Sequence, residues 1–104
     1  MINTLPNHGH FPGHVRAAFV EAVESNDPAL LYFAAGQVWS CTDTLDGADC
    51  RMLDIPRGSS YAQAARDIRG QAGRAGIPKP SRERLAEAQE TWRQLLHGWR
   101  SLTD

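Results

Sequence analysis

Three of the four histidines fall within seven residues near the start of the chain. The segment reads NHGHFPGH and places His8, His10 and His14 at H-x-H-x₃-H spacing. Three imidazoles bind zinc, copper or nickel when a cysteine or a carboxylate completes the ligand set. The alternative is a polar arm whose histidines bind nothing, and we prefer it because the segment lacks a helix or strand period that would hold three ligands in place. We therefore predict no metal cofactor and keep these histidines as the metal-site candidates.

The two cysteines, Cys41 and Cys50, are separated by eight residues. Two buried thiols are the preferred interpretation, because unpaired cysteine is among the most buried residue types. A disulfide is the second alternative; it would close a short loop and add about 2–3 kcal/mol. A metal-binding or redox pair is the third, since the spacing is not C-x-x-C.

Asp43, Asp46 and Asp49 follow one another at spacings of three, with Gly47 among them. The pattern only partly matches a calcium-binding loop, which needs ligands at alternate positions and a glutamate at the twelfth. We predict instead that these aspartates cap helices or lie in solvated turns.

Arg66, Arg69 and Arg74 lie on one face of a predicted helix over residues 59–75. With the following helix they could form a helix-turn-helix that binds nucleic acid. A DNA-reading helix follows a turn of three or four residues, however, and the linker here contains Pro78 and Pro80. These arginines are our candidates for a nucleic-acid or partner-binding face, and the structural alternative is a solvated helix surface.

Catalytic motifs are missing from the sequence. It has no G-x-S-x-G, no phosphate-binding glycine loop, no H-E-x-x-H and no paired-carboxylate pattern. Ser59, Ser60 and Tyr61 have no general base nearby in the sequence. We predict no catalytic residues and expect that the protein is not an enzyme.

The elements that would position these residues are helices. Residues 28–42, PALLYFAAGQVWSCT, carry no charge, and such a segment must be buried nearly all round. At 15 residues it is too short to span a bilayer, so we predict a central buried helix that begins with Asp27 as its cap and Pro28 in its first turn. Within it, Gly36 would permit a close helix crossing and Trp39 would pack against the last helix.

The remaining elements follow from apolar periodicity and capping signals. We predict helices over 14–25, 61–75 and 82–102, with Ser59 or Ser60 and then Ser81 as caps. We predict one short helical turn near 48–53 with Cys50, Met52 and Leu53 facing inward, and an extended N-terminal arm over 1–11. The fold class is therefore all-α, a small bundle or orthogonal array of four main helices in a single domain of residues 1–104.

Composition favours a globular protein, since 41% of the 104 residues are hydrophobic and 22% charged. Residues 1–54 carry two basic and seven acidic side chains, net −5, whereas residues 55–104 carry nine and five, net +4. We interpret this asymmetry as attraction between the two halves within the fold. No signal peptide or membrane-spanning segment is predicted, so we expect a cytoplasmic protein. The alanine, arginine and tryptophan usage is typical of a bacterial protein.

Three functional hypotheses remain. The first is a small non-enzymatic regulatory protein that binds another protein or a second copy of itself, for example as a homodimer. The second is a nucleic-acid-associated regulator that uses the arginine face of helix 59–75. The third is a metal-binding protein that uses the N-terminal histidines. We prefer the first, because no chemical motif is present and three tryptophans in a short chain favour an interface.

Overall fold

The computed structural model describes residues 11–74 and 79–103, and this part of the chain contains five α-helices and no β-strand. The all-α prediction is thus confirmed. The helices are α1 (Gly13–Ser25), α2 (Pro28–Gln37), α3 (Gly47–Leu53), α4 (Tyr61–Arg74) and α5 (Arg82–Thr103). The predicted arm lies outside the described residues except for Phe11, which packs against the core.

Local signals set the junction between α1 and α2 as predicted. Asn26 ends α1 in the left-handed conformation, with φ 58°, which asparagine tolerates better than most residues. The Asp27 carboxylate then accepts hydrogen bonds from the amides of Ala29 and Leu30, and Pro28 occupies the first turn of α2. Phe19 on α1 is fully buried.

The predicted end of the central helix at residue 42 is wrong, because α2 ends at Gln37. The next segment turns and pairs its backbone with the start of α4. The Cys41 carbonyl accepts a hydrogen bond from the Ala62 amide, and the Asp43 carbonyl accepts one from Tyr61. In a continued helix these carbonyls would point along the helix towards amides four residues on and could not pair with α4 in this way. Tertiary hydrogen bonds therefore outweigh the uncharged composition of the segment.

Side-chain caps begin α3 and α4. Asp46 caps α3 by accepting a hydrogen bond from the Ala48 amide. Ser60 and Gln63 cap α4 reciprocally: each side chain bonds to the other residue's amide, the arrangement known as a capping box. On α3 Cys50 is buried as predicted, but Met52 is 54% exposed, so its inward orientation was predicted wrongly.

Helix α2 lies at the centre of the packing and contacts α1, α4 and α5. Helix α5 packs on α1 and α2 through its apolar stripe, in which Trp92 is buried and Trp99 half-buried. Trp39 does not join that stripe, contrary to the prediction. It follows the end of α2, is 41% exposed, and lies beside arginines of α4.

Helices α4 and α5 do not form a helix-turn-helix. In the described parts of both helices there is no packing of one against the other, and both instead pack on α2. A helix-turn-helix needs direct contact between its two helices. None of the described helices is both long and apolar enough to span a bilayer.

Candidate acidic binding groove

Of the three histidine candidates, only His14 belongs to the part of the chain that the structure describes. His14 lies in the first turn of α1 and is half-buried, whereas His8 and His10 fall outside the described residues. Across residues 11–74 and 79–103, no group of three or more histidine, cysteine, aspartate or glutamate side chains is placed to hold a metal ion. The histidine-arm site therefore stays a prediction.

Two of the arginine candidates, Arg66 and Arg69, lie beside the aromatic rings of Tyr32 and Trp39. The Arg66 guanidinium carbon lies 5.3 Å from the centroid of the Trp39 ring. That of Arg69 lies 4.1 Å from the Tyr32 ring and 5.7 Å from the Trp39 ring. Arg74 is in the last turn of α4, and its side chain lies outside those described. Arg69 thus contributes to the contact between α2 and α4, whereas Arg66 contributes to the contact between α4 and the segment after α2.

The cysteines are both buried free thiols, in agreement with the preferred prediction. The Cys41 thiol lies 3.6 Å from an Asp43 carboxylate oxygen and contacts it as a weak donor. Burial raises the pKa of the Cys41 thiol, and the Asp43 charge raises it further. A thiol in this environment stays protonated and is a poor nucleophile.

The three aspartates have separate roles. The Asp43 carboxylate accepts a hydrogen bond from the Phe11 amide and lies 3.7 Å from Arg16 Nε. Asp46 is the α3 cap, as predicted for one of these residues. Asp49 is different, because it is 8% exposed and therefore buried rather than solvated.

Asp46 and Asp49 line a groove of about 450 Å³ at the meeting point of four helices. Helix α1 contributes one wall, on which Glu21 and Glu24 are three residues apart and so share a helical face. Tyr61, the first residue of α4, and Trp99 of α5 supply aromatic surface. The full lining consists of Ala17, Val20, Glu21, Glu24, Asp46, Asp49, Tyr61 and Trp99.

The charged residues that line this acidic groove are all negative. Four of its eight lining residues carry a carboxyl group, and none of these eight is basic. Glu21 Oε1 accepts a hydrogen bond of 2.9 Å from Trp99 Nε1, which joins α1 to α5. Glu24 and Asp46 are exposed. The groove therefore presents negative charge on walls that are partly aromatic.

Asp49 is the unusual member of the groove. No described residue donates a hydrogen bond to its carboxylate or forms an ion pair with it, although nine-tenths of the residue is buried. Burial raises the pKa of the Asp49 carboxyl, and the charges of Asp46 and Glu24 raise it further. An acidic residue with so little exposure and no partner for its side chain in the described structure needs an explanation.

A groove lined by four carboxyl groups is complementary to positive charge. A carboxyl group with a raised pKa can serve as a general acid or as a cation receptor. Among the eight lining residues, however, there is no serine, cysteine or histidine to act as a nucleophile or base.

A second depression of about 300 Å³ lies between the loop after α3 and the side of α4. Its charged lining residues are Arg57 and Asp67, which carry opposite signs. The Ser59 hydroxyl at its base donates to the Pro56 carbonyl at 2.6 Å and is thereby used within the fold. This depression offers no comparable charge preference.

Sequence reasoning missed the groove because its residues come from four helices. The available signals were two i, i+3 acidic pairs, Glu21 with Glu24 and Asp46 with Asp49, together with the negative charge of the first half. Neither signal reveals that Asp49 is buried.

Comparison with protein-family models, curated proteins and solved structures finds no match to this chain.

Proposed function

We propose that this protein acts by binding a positively charged segment of another protein in its acidic groove, without catalysing a reaction. The observation that carries the proposal is Asp49, which lines the groove, is only 8% exposed, and has no hydrogen-bond or ion-pair partner for its carboxylate among the described residues. A cationic partner would supply the missing counter-charge.

The surroundings of Asp49 support a protein partner. Ala17, Val20, Tyr61 and Trp99 give the groove apolar surface beside its charges. Protein interfaces combine such aromatic surface with complementary charge. The net negative charge of the first half of the chain would also accelerate encounter with a basic segment.

The two other hypotheses have less support. Nucleic acid would be repelled by the acidic groove, and Arg66 and Arg69 are already stacked on aromatic rings. Metal binding by the histidine arm depends on His8 and His10, which fall outside the described residues.

A titration of the isotope-labelled protein with a short lysine homopolymer and a short arginine homopolymer tests the proposal. We expect both to shift backbone resonances of residues 17–24 and 46–49, and we expect the shifts to weaken between about 50 mM and about 500 mM salt, because salt screens the attraction. A glutamate homopolymer is the charge-reversed control. Absence of shifts at the lower salt concentration, or shifts centred on another surface, would overturn the proposal.

A matched variant separates the groove from the overall charge. Glu83→Gln removes one negative charge from the first turn of α5, and Glu24→Gln removes one from the groove wall. Glu83 is 16 residues from Trp99, about 24 Å along the helix. We expect Glu24→Gln to weaken binding and Glu83→Gln to leave it nearly unchanged.

A further inference from the structure

We propose that the group held at the base of the acidic groove is the guanidinium of a single arginine side chain, ion-paired with Asp49. This inference rests on the proposed function and adds the identity of the anchoring residue. It comes from the burial of Asp49 combined with the aromatic and acidic residues that line the same groove.

The burial of Asp49 favours arginine over lysine. A cation that reaches a residue only 8% exposed must lose much of its own hydration. A guanidinium is more weakly hydrated than an ammonium and therefore loses less. It also offers five N–H donors in a plane, which can serve two carboxylates at once, whereas an ammonium is a point charge.

The lining of the groove favours arginine for a second reason. Tyr61 and Trp99 line the same groove as Asp49, and guanidinium groups stack on aromatic rings. The structure already contains this preference elsewhere, since Arg69 lies over the Tyr32 ring at 4.1 Å. A divalent metal ion needs several oxygen ligands placed around it, and the described acidic residues do not form such a metal-binding group.

Three blocked peptides, identical except for a central arginine, lysine or citrulline in a neutral glycine-serine context, test the inference. Binding is measured by calorimetry and by the indole N–H resonance of Trp99, which reports on the groove because this N–H donates to Glu21. We expect the arginine peptide to bind at least about tenfold more tightly than the lysine peptide, a difference of about 1.4 kcal/mol. Citrulline has the shape of arginine without its charge, and we expect no measurable binding.

Two variants assign the preference to the groove. Asp49→Asn should weaken the binding of the arginine peptide by about tenfold or more and remove its preference over the lysine peptide. Glu24→Gln changes an exposed groove residue and should weaken the binding of both charged peptides. Because this second variant is at the surface, the test does not depend on whether Asp49→Asn folds. Glu83→Gln is the control and should behave as the unaltered protein does.

The outcomes separate the two proposals. Equal affinity for the arginine and lysine peptides would overturn the arginine anchor and leave the proposed function standing. An arginine preference that persists in Asp49→Asn would also overturn it. If magnesium or calcium ions alone shift the Trp99 resonance and the peptides do not, the anchor proposal fails in favour of a metal. If neither the peptides nor the basic homopolymers bind, the proposed function fails as well.

Discussion

The Arg69 side chain of α4 binds both the ring and the backbone of Tyr32 on α2. Its guanidinium carbon lies 4.1 Å from the ring centroid, and its Nε and Nη2 donate to the Tyr32 carbonyl oxygen at 3.2 and 2.9 Å. Gly36 makes this geometry accessible, because a methyl group at residue 36 would overlap the guanidinium. Gly36 thus leaves the space that the Arg69 guanidinium occupies against the central helix.

We predict that the effect of Gly36→Ala on the free energy of unfolding has opposite signs with arginine and with alanine at position 69. In the unaltered protein the new methyl group displaces Arg69 and breaks its bonds to Tyr32, so we expect a loss of about 1 kcal/mol even after the gain in helix propensity. In an Arg69→Ala background nothing is displaced, and the same change should stabilise by about 0.5–1 kcal/mol. Denaturant unfolding of the four proteins gives the coupling energy directly.

A Gly98→Ala variant controls for helix propensity. Gly98 lies in α5, and a methyl group there would meet no atom within 4 Å. It should stabilise both backgrounds equally. If Gly36→Ala also stabilises both, the Arg69–Tyr32 contact does not need the glycine.

Helix starts could be predicted from the sequence, because they depend on adjacent residues. Asp27 with Pro28, and Ser60 with Gln63, are local capping signals, and the structure contains both. The end of α2 could not be predicted in this way. It depends on hydrogen bonds from Tyr61 and Ala62, about twenty residues further along the chain.

Side-chain environments were predicted less well than helices for a related reason. Periodicity indicates which residues share a face, but not which neighbouring helix covers that face. Trp39 and Met52 are exposed although hydrophobic, and Asp49 is buried although charged. Each depends on how α3 and α4 are placed, which no local pattern specifies. The acidic groove could not be predicted for the same reason.

We predict that Asp43→Ala destabilises the protein by about 2 kcal/mol. The carboxylate accepts a hydrogen bond from the Phe11 amide at 3.0 Å and lies 3.7 Å from Arg16 Nε, so its removal leaves a half-buried donor unsatisfied. Asp43→Asn retains an acceptor oxygen without the charge and should cost about half as much. Thermal unfolding measures both. Equal losses would indicate that the charge, rather than the hydrogen bond, stabilises this junction.

We predict that the two thiols react slowly in the native protein. Cys41 and Cys50 are fully buried, so a water-soluble disulfide reagent reaches them only after local opening. We expect the thiols to react at least roughly a hundredfold more slowly in native buffer than in denaturant. This ratio corresponds to a free energy of local opening of about 2.7 kcal/mol. Single-cysteine variants, Cys41→Ala and Cys50→Ala, assign the rates. Rapid reaction of either thiol in native buffer would contradict the observed burial.

Removing the charge of Asp49 should stabilise the protein near neutral pH. The pKa of the carboxyl is raised above its ordinary value of 3.8 by burial and by Asp46 and Glu24. The folded state therefore binds this proton more tightly than the unfolded state, and ionisation of Asp49 costs stability. That cost is absent below the unfolded pKa, grows as the pH rises between the two values, and is complete above the folded pKa.

Asp49→Asn avoids the cost and should raise the stability near neutral pH by about 1 kcal/mol, equivalent to roughly 4–8 °C in Tm. The gain should shrink as the pH falls through 3.8 and vanish below it, where Asp49 is protonated in both states. Glu83→Gln removes a charge from an exposed site and should show no such pH-dependent gain. The same Asp49→Asn variant is expected to lose arginine binding, so a stabilised protein that binds less well would indicate that the buried carboxylate is retained for binding. An Asp49→Asn protein less stable than the original near neutral pH would mean that this carboxylate stabilises the fold and has no need of an external cation.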